Sequence, residues 1–324
     1  MINIAILGTG KIIPEAIEGL QTSKKFNVDL IFARPHSKDK AEKLVDQFNI
    51  PRVSTDLDEV LNDSKINFVY VGLVNSVHHE YAKKALDAGK NVILEKPFTT
   101  NFSEAQDLSD TATKKNLYLF EAVTNIHMPN FYAFKDAISK IGEIKFIQAN
   151  YSQYSSRYDN YKLKNVAPAF DPAAYGGALR DLNVYNLNLV AALFGMPKKI
   201  SYTPNIGWNG VDTSGTVTLE FENFIATCTA AKDSASPCFF IVQGDNGYVQ
   251  ILGQSNEFKE FEIAVRSEEV RRCNLNSYSH RMVHEFIEFG ETFENGDYKK
   301  MSDSLQTSLN VVKIVEQASK NIGD

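Results

Sequence analysis

The sequence predicts an α/β protein of two domains, in which a doubly wound parallel sheet comes first and an α+β domain with a large open antiparallel sheet follows. Two patterns predict this fold. Residues 1 to about 120 alternate strand and helix signals, and residues 198–265 carry one strand signal after another with turn residues between them. The length of 324 residues is also sufficient for about two domains.

The first half predicts repeated β-α-β units. Short apolar runs alternate with segments in which apolar residues recur at the three- to four-residue spacing of a helix. Because parallel strands need a crossover connection, usually a helix, this alternation predicts a parallel sheet covered on both faces. The predicted strands are residues 2–7, 28–33, 68–73, 91–94 and 117–120, and the helices after the first four contain Ile17, Leu44, Leu86 and Leu108.

The second half predicts strands without intervening helices. Strand patterns cover 144–153 and 198–265, and turn residues such as Asp245-Asn246-Gly247 break the longer stretch, which predicts an antiparallel sheet. The shift in pattern predicts a first domain of residues 1–121 and a second of residues 122–324. Helices are predicted near 176–194, 279–294 and 303–321.

Composition excludes several classes of protein. With 34 Lys+Arg against 40 Asp+Glu, the chain lacks the basic surface that nucleic-acid binding requires. No run approaches 18 apolar residues, so no membrane span is predicted, and the first apolar run, which ends at Leu7, resembles a strand more than a signal peptide. Three cysteines without a C-x-x-C motif cannot form a disulfide framework, which predicts a reducing, cytoplasmic location.

The turn after the first strand has the features of a dinucleotide-binding loop. Glycines there let the backbone approach a pyrophosphate, and the following helix offers free N–H groups at its N-terminus. Ile13 stands where a third Gly or Ala is usual, and a turn that merely ends a strand is the alternative. The β-α-β context favours a Rossmann domain that binds a nicotinamide dinucleotide. The predicted cofactor residues of this loop are Gly8, Thr9, Gly10, Lys11 and Ile12.

Cofactor choice is predicted at the end of the second strand. An acidic residue there would bind the ribose 2′-OH of NAD, whereas a cation accommodates the 2′-phosphate of NADP. The strand is followed by Arg34, and Asp29 lies at its other end. Because a guanidinium can pair with phosphate but can also stack on adenine, NADP is predicted as the preferred cofactor and NAD remains the alternative.

Three motifs occur in a fixed order along the chain. Asn75-Ser76-x-His78-His79 follows the third strand, Glu95-Lys96-Pro97 follows the fourth, and Gly176-Gly177-Ala178-Leu179-Arg180-Asp181-Leu182-Asn183-Val184-Tyr185 comes about 85 residues later. Together with the N-terminal loop, they resemble the glucose–fructose oxidoreductase, inositol dehydrogenase and rhizopine-catabolism (Gfo/Idh/MocA) family. The resemblance extends over essentially the whole chain.

The resemblance implies a function and a site. It implies an NAD(P)-dependent dehydrogenase or reductase acting on a hydroxyl or carbonyl of a sugar, cyclitol or diol, with an open sheet that often forms the interface of a homodimer or larger oligomer. Position by position, it implies Lys96, Asp181 and Tyr185 as catalytic residues, and Tyr185 in place of His is similar to the dihydrodiol dehydrogenase branch. The implied cofactor residues beyond the loop and Arg34 are Asn75, His78, Glu95 and Lys96.

The chemistry of these side chains fits hydride transfer. Such a reaction moves a proton on or off the substrate oxygen, and a nearby ammonium lowers the pKa of a phenol from its ordinary value of about 10. Lys96 is therefore expected to lower the pKa of Tyr185 towards the pH at which it can exchange a proton. Asp181 is expected to orient substrate hydroxyls or Lys96 itself. The structural alternative for Tyr185 is an aromatic residue of the core, and His127 is then the next candidate for acid/base catalysis. His78 is equally well explained as a solvated residue at the start of a helix.

Two departures from the family pattern keep a second function open. Asn183 and Asn188 replace the usual Gly and Asp of the last motif, and Asn183 is expected to crowd the approach to the nicotinamide. A catalytically silent relative that binds the dinucleotide as a regulator is therefore the alternative. His280 and His284 have a spacing that could bind a metal, but no carboxylate motif accompanies them, so no metal site is predicted.

Overall fold

The computed structural model describes residues 1–320, which pack into two compact units. The first unit contains Met1–Ala122 together with His280–Leu309. The second contains Val123–Ser279 together with the described residues from 310 onward. The predicted α/β fold class, with one parallel sheet and one mostly antiparallel sheet, is confirmed.

The first unit is built on a six-stranded parallel sheet with the order β3-β2-β1-β4-β5-β6. The five predicted strands are present, and the sequence pattern missed β3 because that strand has only three residues. Strands β1, β4 and β5 are almost wholly buried, as expected for strands covered on both faces. The strands are β1 (Ile2–Leu7), β2 (Phe26–Phe32), β3 (Arg52–Ser54), β4 (Phe68–Val71), β5 (Asn91–Glu95) and β6 (Leu119–Ala122), and the helices between them are α1 (Ile13–Ser23), α2 (Lys38–Phe48), α3 (Leu57–Asn62), α4 (His78–Asp87) and α5 (Phe102–Lys115).

The second unit contains a larger sheet with the order β14-β13-β12-β11-β7-β10-β9-β8. Neighbouring strands are antiparallel, as predicted, except for one pair: β10 runs parallel to β7, with Ile225 opposite Phe146. The sequence could not predict this pair, because β10 reaches β7 only after the chain has formed β8 and β9. The strands are β7 (Ile144–Ser152), β8 (Lys199–Ile206), β9 (Asp212–Glu220), β10 (Ile225–Ala231), β11 (Phe239–Gly244), β12 (Gly247–Leu252), β13 (Phe261–Val265) and β14 (Arg271–Cys273).

Helices cover one face of this second sheet. Alternate residues of β7, namely Ile147, Ala149 and Tyr151, are buried in the core, whereas the residues between them lie on the opposite face. A π-helical turn, Leu179–Asn183, leads directly into the buried helix of the core. The helices are α6 (Pro129–Ile138), α7 (Tyr158–Lys162) and α8 (Val184–Phe194).

The end of the chain returns to the first unit. Helix α9 (Val283–Glu294) packs there through Phe286, whose ring meets Phe26 edge-on with 6.4 Å between centroids. Arg281 donates two hydrogen bonds to Glu15, at 2.7 and 2.8 Å. Packing therefore groups His280–Leu309 with the first unit, whereas the sequence pattern placed it in the second.

The last helix belongs to both units. Helix α10 (Tyr298–Ser319) begins in the first unit and ends in the second. It starts five residues before the predicted position, and Asn321, the predicted last residue, lies outside the described residues. No helix within residues 1–320 combines the length and the apolar character that crossing a bilayer requires.

Candidate functional site

The predicted cofactor residues lie along one edge of the first sheet. Because its strands are parallel, their carboxyl ends meet at the same edge, and β1 has β2 on one side and β4 on the other. Such a switch point opens a crevice where open α/β sheets bind ligands. The residues that follow strand ends here are Gly8, Thr9, Gly10, Lys11 and Ile12 after β1, Arg34 after β2, Asn75 and His78 after β4, and Lys96 after β5, the last residue of which is Glu95.

The loop after β1 depends on glycine at its first position. Gly8 has a φ of +129°, and a Cβ atom there would overlap the carbonyl oxygen of Gly72, just beyond β4. Gly10 is exposed, and its Cβ would meet only that same oxygen, at 3.9 Å. No side chain caps the N-terminus of α1. The Ile13 N–H donates to the Gly10 carbonyl at 3.1 Å and Pro14 has no N–H, so the helix offers an anionic group mainly the positive end of its dipole.

Ile13 explains how this loop works without its third small residue. The Ile13 side chain is fully buried, and its Cδ1 atom occupies the space where a Cβ of Gly72 would be. The Ile13 side chain therefore fits because Gly72, across the crevice, has no side chain. The departure from the usual loop pattern does not close the edge of the sheet.

Arg34 is exposed beyond the end of β2, where a dinucleotide's adenosine ribose would lie. Asp29, on the same strand, forms an ion pair with Arg52, which also pairs with Asp63 at 2.6 Å. Asp29 is thus held within a structural network at the middle of the strand, away from its carboxyl end. The side chain available at the ribose position is a cation.

The turn that carries Lys96 is held by three buried side chains. The Lys96 N–H donates to Glu95 at 3.2 Å, and the Phe98 N–H donates to Glu121 at 3.1 Å. One ring nitrogen of His78 lies 3.0 Å from the Pro97 carbonyl oxygen, and the other lies 3.1 Å from that of Leu73. His78 therefore joins the loops after β4 and β5 instead of standing solvated at a helix start.

Burial shifts the pKa values of these groups. It raises the pKa of Glu95, which also accepts a hydrogen bond from Tyr70, and it raises the pKa of Glu121 to about 7. Burial lowers the pKa of His78, while the backbone carbonyl groups that its ring contacts oppose this shift. Lys96 itself is only half-buried.

Asp181 and Tyr185, the two other predicted catalytic residues, lie in the second unit. Asp181 is part of the π-helical turn, a feature frequent at functional sites, and Tyr185 follows in the first turn of α8. The Tyr185 ring is buried, with its centroid 6.0 Å from that of Tyr151, and Asn125 donates to its backbone carbonyl at 3.0 Å. The two residues thus lie on consecutive helical segments, with Asp181 partly exposed and Tyr185 buried.

A buried aspartate anchors the start of this element. Asp212, 1% exposed, accepts hydrogen bonds from the Leu179 N–H at 2.7 Å and the Tyr202 hydroxyl at 2.8 Å. Its pKa is raised by burial. Asp212 was not predictable from the sequence, because it lies 33 residues beyond Leu179 with no local pattern to connect the two.

Asn183 and Asn188, the two departures, are interior residues of the second unit. The Asn183 amide donates to the Cys228 carbonyl of β10 at 2.8 Å and accepts from Asn186 at 3.0 Å, and the Asn188 amide donates to the Val184 carbonyl at 2.9 Å. Both side chains are fully buried. Asn183 thus connects the π-helical turn to the sheet, and the expectation that it crowds an open approach to a ligand is not supported by its position.

Lys232 is a second residue that the sequence analysis missed. Its ammonium forms an ion pair with Asp181 at 2.8 Å, although only 2% of its side chain is exposed. Asp181 was expected to orient substrate hydroxyls or Lys96, and within the second unit its cationic partner is Lys232. A single lysine after a strand gives no sequence signal for such a role.

Models of one protein family match most of the chain. The family described as "Oxidoreductase family, NAD-binding Rossmann fold" matches residues 2–123, and the GFO/IDH/MocA C-terminal domain matches residues 134–250. The two models describe the N-terminal and the C-terminal domain of the same family.

Several curated proteins are similar over long stretches. The chain is 29% identical over 323 residues to scyllo-inositol 2-dehydrogenase (NADP(+)) IolU of Bacillus subtilis, covering 100% of this chain and 98% of that protein. It is 26% identical over 251 residues to trans-1,2-dihydrobenzene-1,2-diol dehydrogenase of Xenopus tropicalis, covering 76% of this chain and 74% of that one.

Solved structures with the same fold contain nicotinamide cofactors. Levoglucosan dehydrogenase in complex with NADH and levoglucosan superposes with a TM-score of 0.83 at 19% identity, covering 98% of this chain and 97% of the other. KijD10, a 3-ketoreductase from Actinomadura kijaniata in complex with NADP, gives a TM-score of 0.85 at 20% identity with the same coverage.

The raised pKa of Glu121 predicts a pH-dependent stability. Between its unfolded value of about 4.5 and its folded value of about 7, the unfolded chain releases this proton and the folded protein does not, so raising the pH favours unfolding. Glu121→Gln should therefore gain stability relative to wild type across this window, by about 3 kcal/mol in total. Urea unfolding from pH 4.5 to 8 measures the difference. A difference that does not change with pH would contradict the assignment.

Proposed function

Because the chain belongs to the GFO/IDH/MocA family and is an NAD(P)-dependent oxidoreductase, we propose that it moves a hydride between NADP and a secondary hydroxyl or carbonyl carbon of a cyclitol, sugar or trans-diol. The substrate class follows from the relatives, which are named for scyllo-inositol and a trans-dihydrodiol. The observation that carries the proposal is the junction of the π-helical turn with α8, which bears Asp181 and Tyr185 about one turn apart.

Each residue has a distinct part in this proposal. Tyr185 exchanges a proton with the substrate oxygen. The cofactor, when bound, would supply the hydride chemistry at the carbon that bears this oxygen. Lys96 binds the same substrate oxygen. Asp181, held by Lys232, accepts a hydrogen bond from a neighbouring substrate hydroxyl.

The cofactor is held by the edge of the first sheet. We assign the pyrophosphate to the loop Gly8-Thr9-Gly10-Lys11-Ile12 and the N-terminus of α1, where glycine leaves room for close approach. Arg34 pairs with the 2′-phosphate of NADP, and Asn75 contacts the nicotinamide half. His78 and Glu95 act by holding the turn that carries Lys96.

Removing the phenol hydroxyl tests the catalytic assignment. Tyr185→Phe should lower turnover of scyllo-inositol with NADP+ by roughly 10²–10⁴-fold, the usual effect of general acid–base catalysis, and leave NADP+ affinity unchanged. Lys96→Met should also lower turnover, and the double variant should lose less than the product of the two effects, because the residues act as a unit. Steady-state kinetics and fluorescence titration measure both quantities.

Tyr248→Phe is the matched control, since it removes a half-buried phenol hydroxyl from the sheet of the same unit. It should retain wild-type turnover. Near-normal turnover of Tyr185→Phe would pass the acid/base role to another group, with His127 next. Tight NADP+ binding without turnover of any cyclitol, sugar or diol would favour a silent, dinucleotide-binding regulator.

Arg34 gives a separate test of cofactor preference. Replacing it with alanine should weaken NADP+ binding roughly 10- to 100-fold, the effect of losing a charged hydrogen-bond partner, and leave NAD+ binding nearly unchanged. Arg266→Ala, at an exposed arginine of the second unit, is the control. An equal loss for both cofactors would indicate stacking on adenine instead. Tighter binding of NAD+ than NADP+ by the wild type would contradict the preference.

The uncovered face of the second sheet supports a homodimer or larger homo-oligomer. On the three central strands its outward side chains carry no charge: they include Gln148 and Asn150 on β7, Thr227 and Thr229 on β10, and Phe239 on β11. The outward positions also include the large apolar residues Phe146 and Ile241. The face is thus uncharged and partly apolar, and a sheet face of this kind favours a covering partner.

Light scattering at micromolar concentration tests this assembly. The expected mass is at least twice the 36.3 kDa of one chain, and Thr227→Arg, which adds a charge at the middle of the face, should lower it. A wild-type mass of 36.3 kDa would contradict the assembly.

A further inference from the structure

Lys232 is a buried lysine at the end of a central strand. It directly follows β10 (Ile225–Ala231), and its backbone is fixed on both sides: its N–H donates to the Thr213 carbonyl at 2.8 Å, and its carbonyl accepts from the Ser155 N–H at 2.9 Å. Only 2% of the side chain is exposed. Lysine is rarely buried to this extent unless its charge is paired.

The ammonium of Lys232 contacts two segments of the second unit. It forms the ion pair with Asp181, and it also donates to the backbone carbonyl of Ala169. Its nitrogen lies 4.4 Å from the ring centroid of Phe170, within the range of a cation–π contact. Phe170 in turn stacks on Tyr161 with 4.9 Å between centroids. Lys232 thus connects the π-helical turn to the aromatic segment that includes residues 158–170.

The two members of the ion pair differ strongly in exposure. The Asp181 side chain is 35% exposed, whereas the Lys232 side chain is 2% exposed. The cation therefore approaches the carboxylate from the protein interior, and the carboxylate extends towards solvent. A buried ammonium at 2.8 Å also favours the ionised form of Asp181, in which both oxygens are hydrogen-bond acceptors.

We propose that Lys232 is a positioning residue that holds Asp181 ionised and oriented, so that the carboxylate accepts a hydrogen bond from a substrate hydroxyl next to the reacting carbon. This inference rests on the proposed function, because it requires a hydroxylated substrate at Asp181. It makes the site selective for vicinal diols and polyols over simple alcohols, since only the former offer a second hydroxyl to that carboxylate.

The test is a double-mutant cycle with scyllo-inositol and NADP+ as the probes. Lys232→Met, which keeps the length of the side chain but removes its charge, should raise KM and lower kcat/KM by roughly 10- to 100-fold, with NADP+ affinity unchanged. Asp181→Asn should cause a loss at least as large. The double variant should be no worse than Asp181→Asn alone, because Lys232 acts through Asp181.

A merely structural role for Lys232 gives different results. It would lower the unfolding temperature and leave kcat and KM of the folded protein unchanged. Lys199→Met is the matched control, since Lys199 also pairs with a carboxylate, Glu220, but is 68% exposed. It should change neither kinetic constant. Lys232→Arg, which restores the charge, should recover most of the lost kcat/KM.

The outcomes separate this inference from the proposed function. If the wild type turns over no cyclitol, sugar or trans-diol, the proposed function fails and the role of Lys232 fails with it. If the wild type is active and Lys232→Met has normal kcat/KM, only the role of Lys232 is overturned. Should Lys232→Met not fold, the cycle is run with Lys232→Gln, which keeps a donor for the Ala169 carbonyl but has no charge, and the same criteria apply.

Discussion

The backbone of Gly8 lies directly against that of Gly72, at the point where the strand order of the first sheet reverses. Strand β1 has β2 on one side and β4 on the other, so the connections that leave β1 and β4 diverge and open a crevice between them. A Cβ atom at Gly8 would overlap the carbonyl oxygen of Gly72, and a Cβ atom at Gly72 would overlap the side chain of Ile13. The close approach of the two segments therefore requires glycine at both positions, and in the proposed site the exposed loop at Gly10 binds the pyrophosphate.

Elsewhere in the molecule, buried polar side chains hold the segments on which the proposed chemistry depends. Glu95, Glu121 and His78 hydrogen-bond to the turn around Lys96, and Asp212 anchors the π-helical turn. A buried polar group without a partner costs more than its hydrogen bond contributes, so each of these groups strongly disfavours other positions of its segment. These hydrogen bonds therefore fix the positions of residues on loops and at helix ends, which regular secondary structure alone does not determine.

The sequence predicted those features that depend on local patterns. Alternating apolar runs identified five of the six strands of the first sheet to within a few residues, and the glycine loop identified the edge of the sheet to which we assign the cofactor. Contacts between distant segments were not predictable. Nothing near residue 280 indicates that α9 returns to the first unit, and nothing near Lys232 identifies Asp181, 51 residues earlier, as its partner. Asn183 was predicted to face a ligand because its motif position suggested it, whereas its amide completes the hydrogen bonding of a neighbouring strand.

Isotope transfer provides the most direct measurement of whether this chain is an NADP-dependent dehydrogenase of hydroxylated substrates. The purified protein would be incubated with NADP+ and scyllo-inositol deuterated at its ring carbons, and the nicotinamide product analysed by NMR and mass spectrometry. The account predicts NADPH that carries one deuterium at C4 of the nicotinamide, formed at a rate slower than with the protonated substrate. Binding of NADP+ without any transfer of deuterium, from this cyclitol or from sugars and trans-diols labelled in the same way, would contradict it.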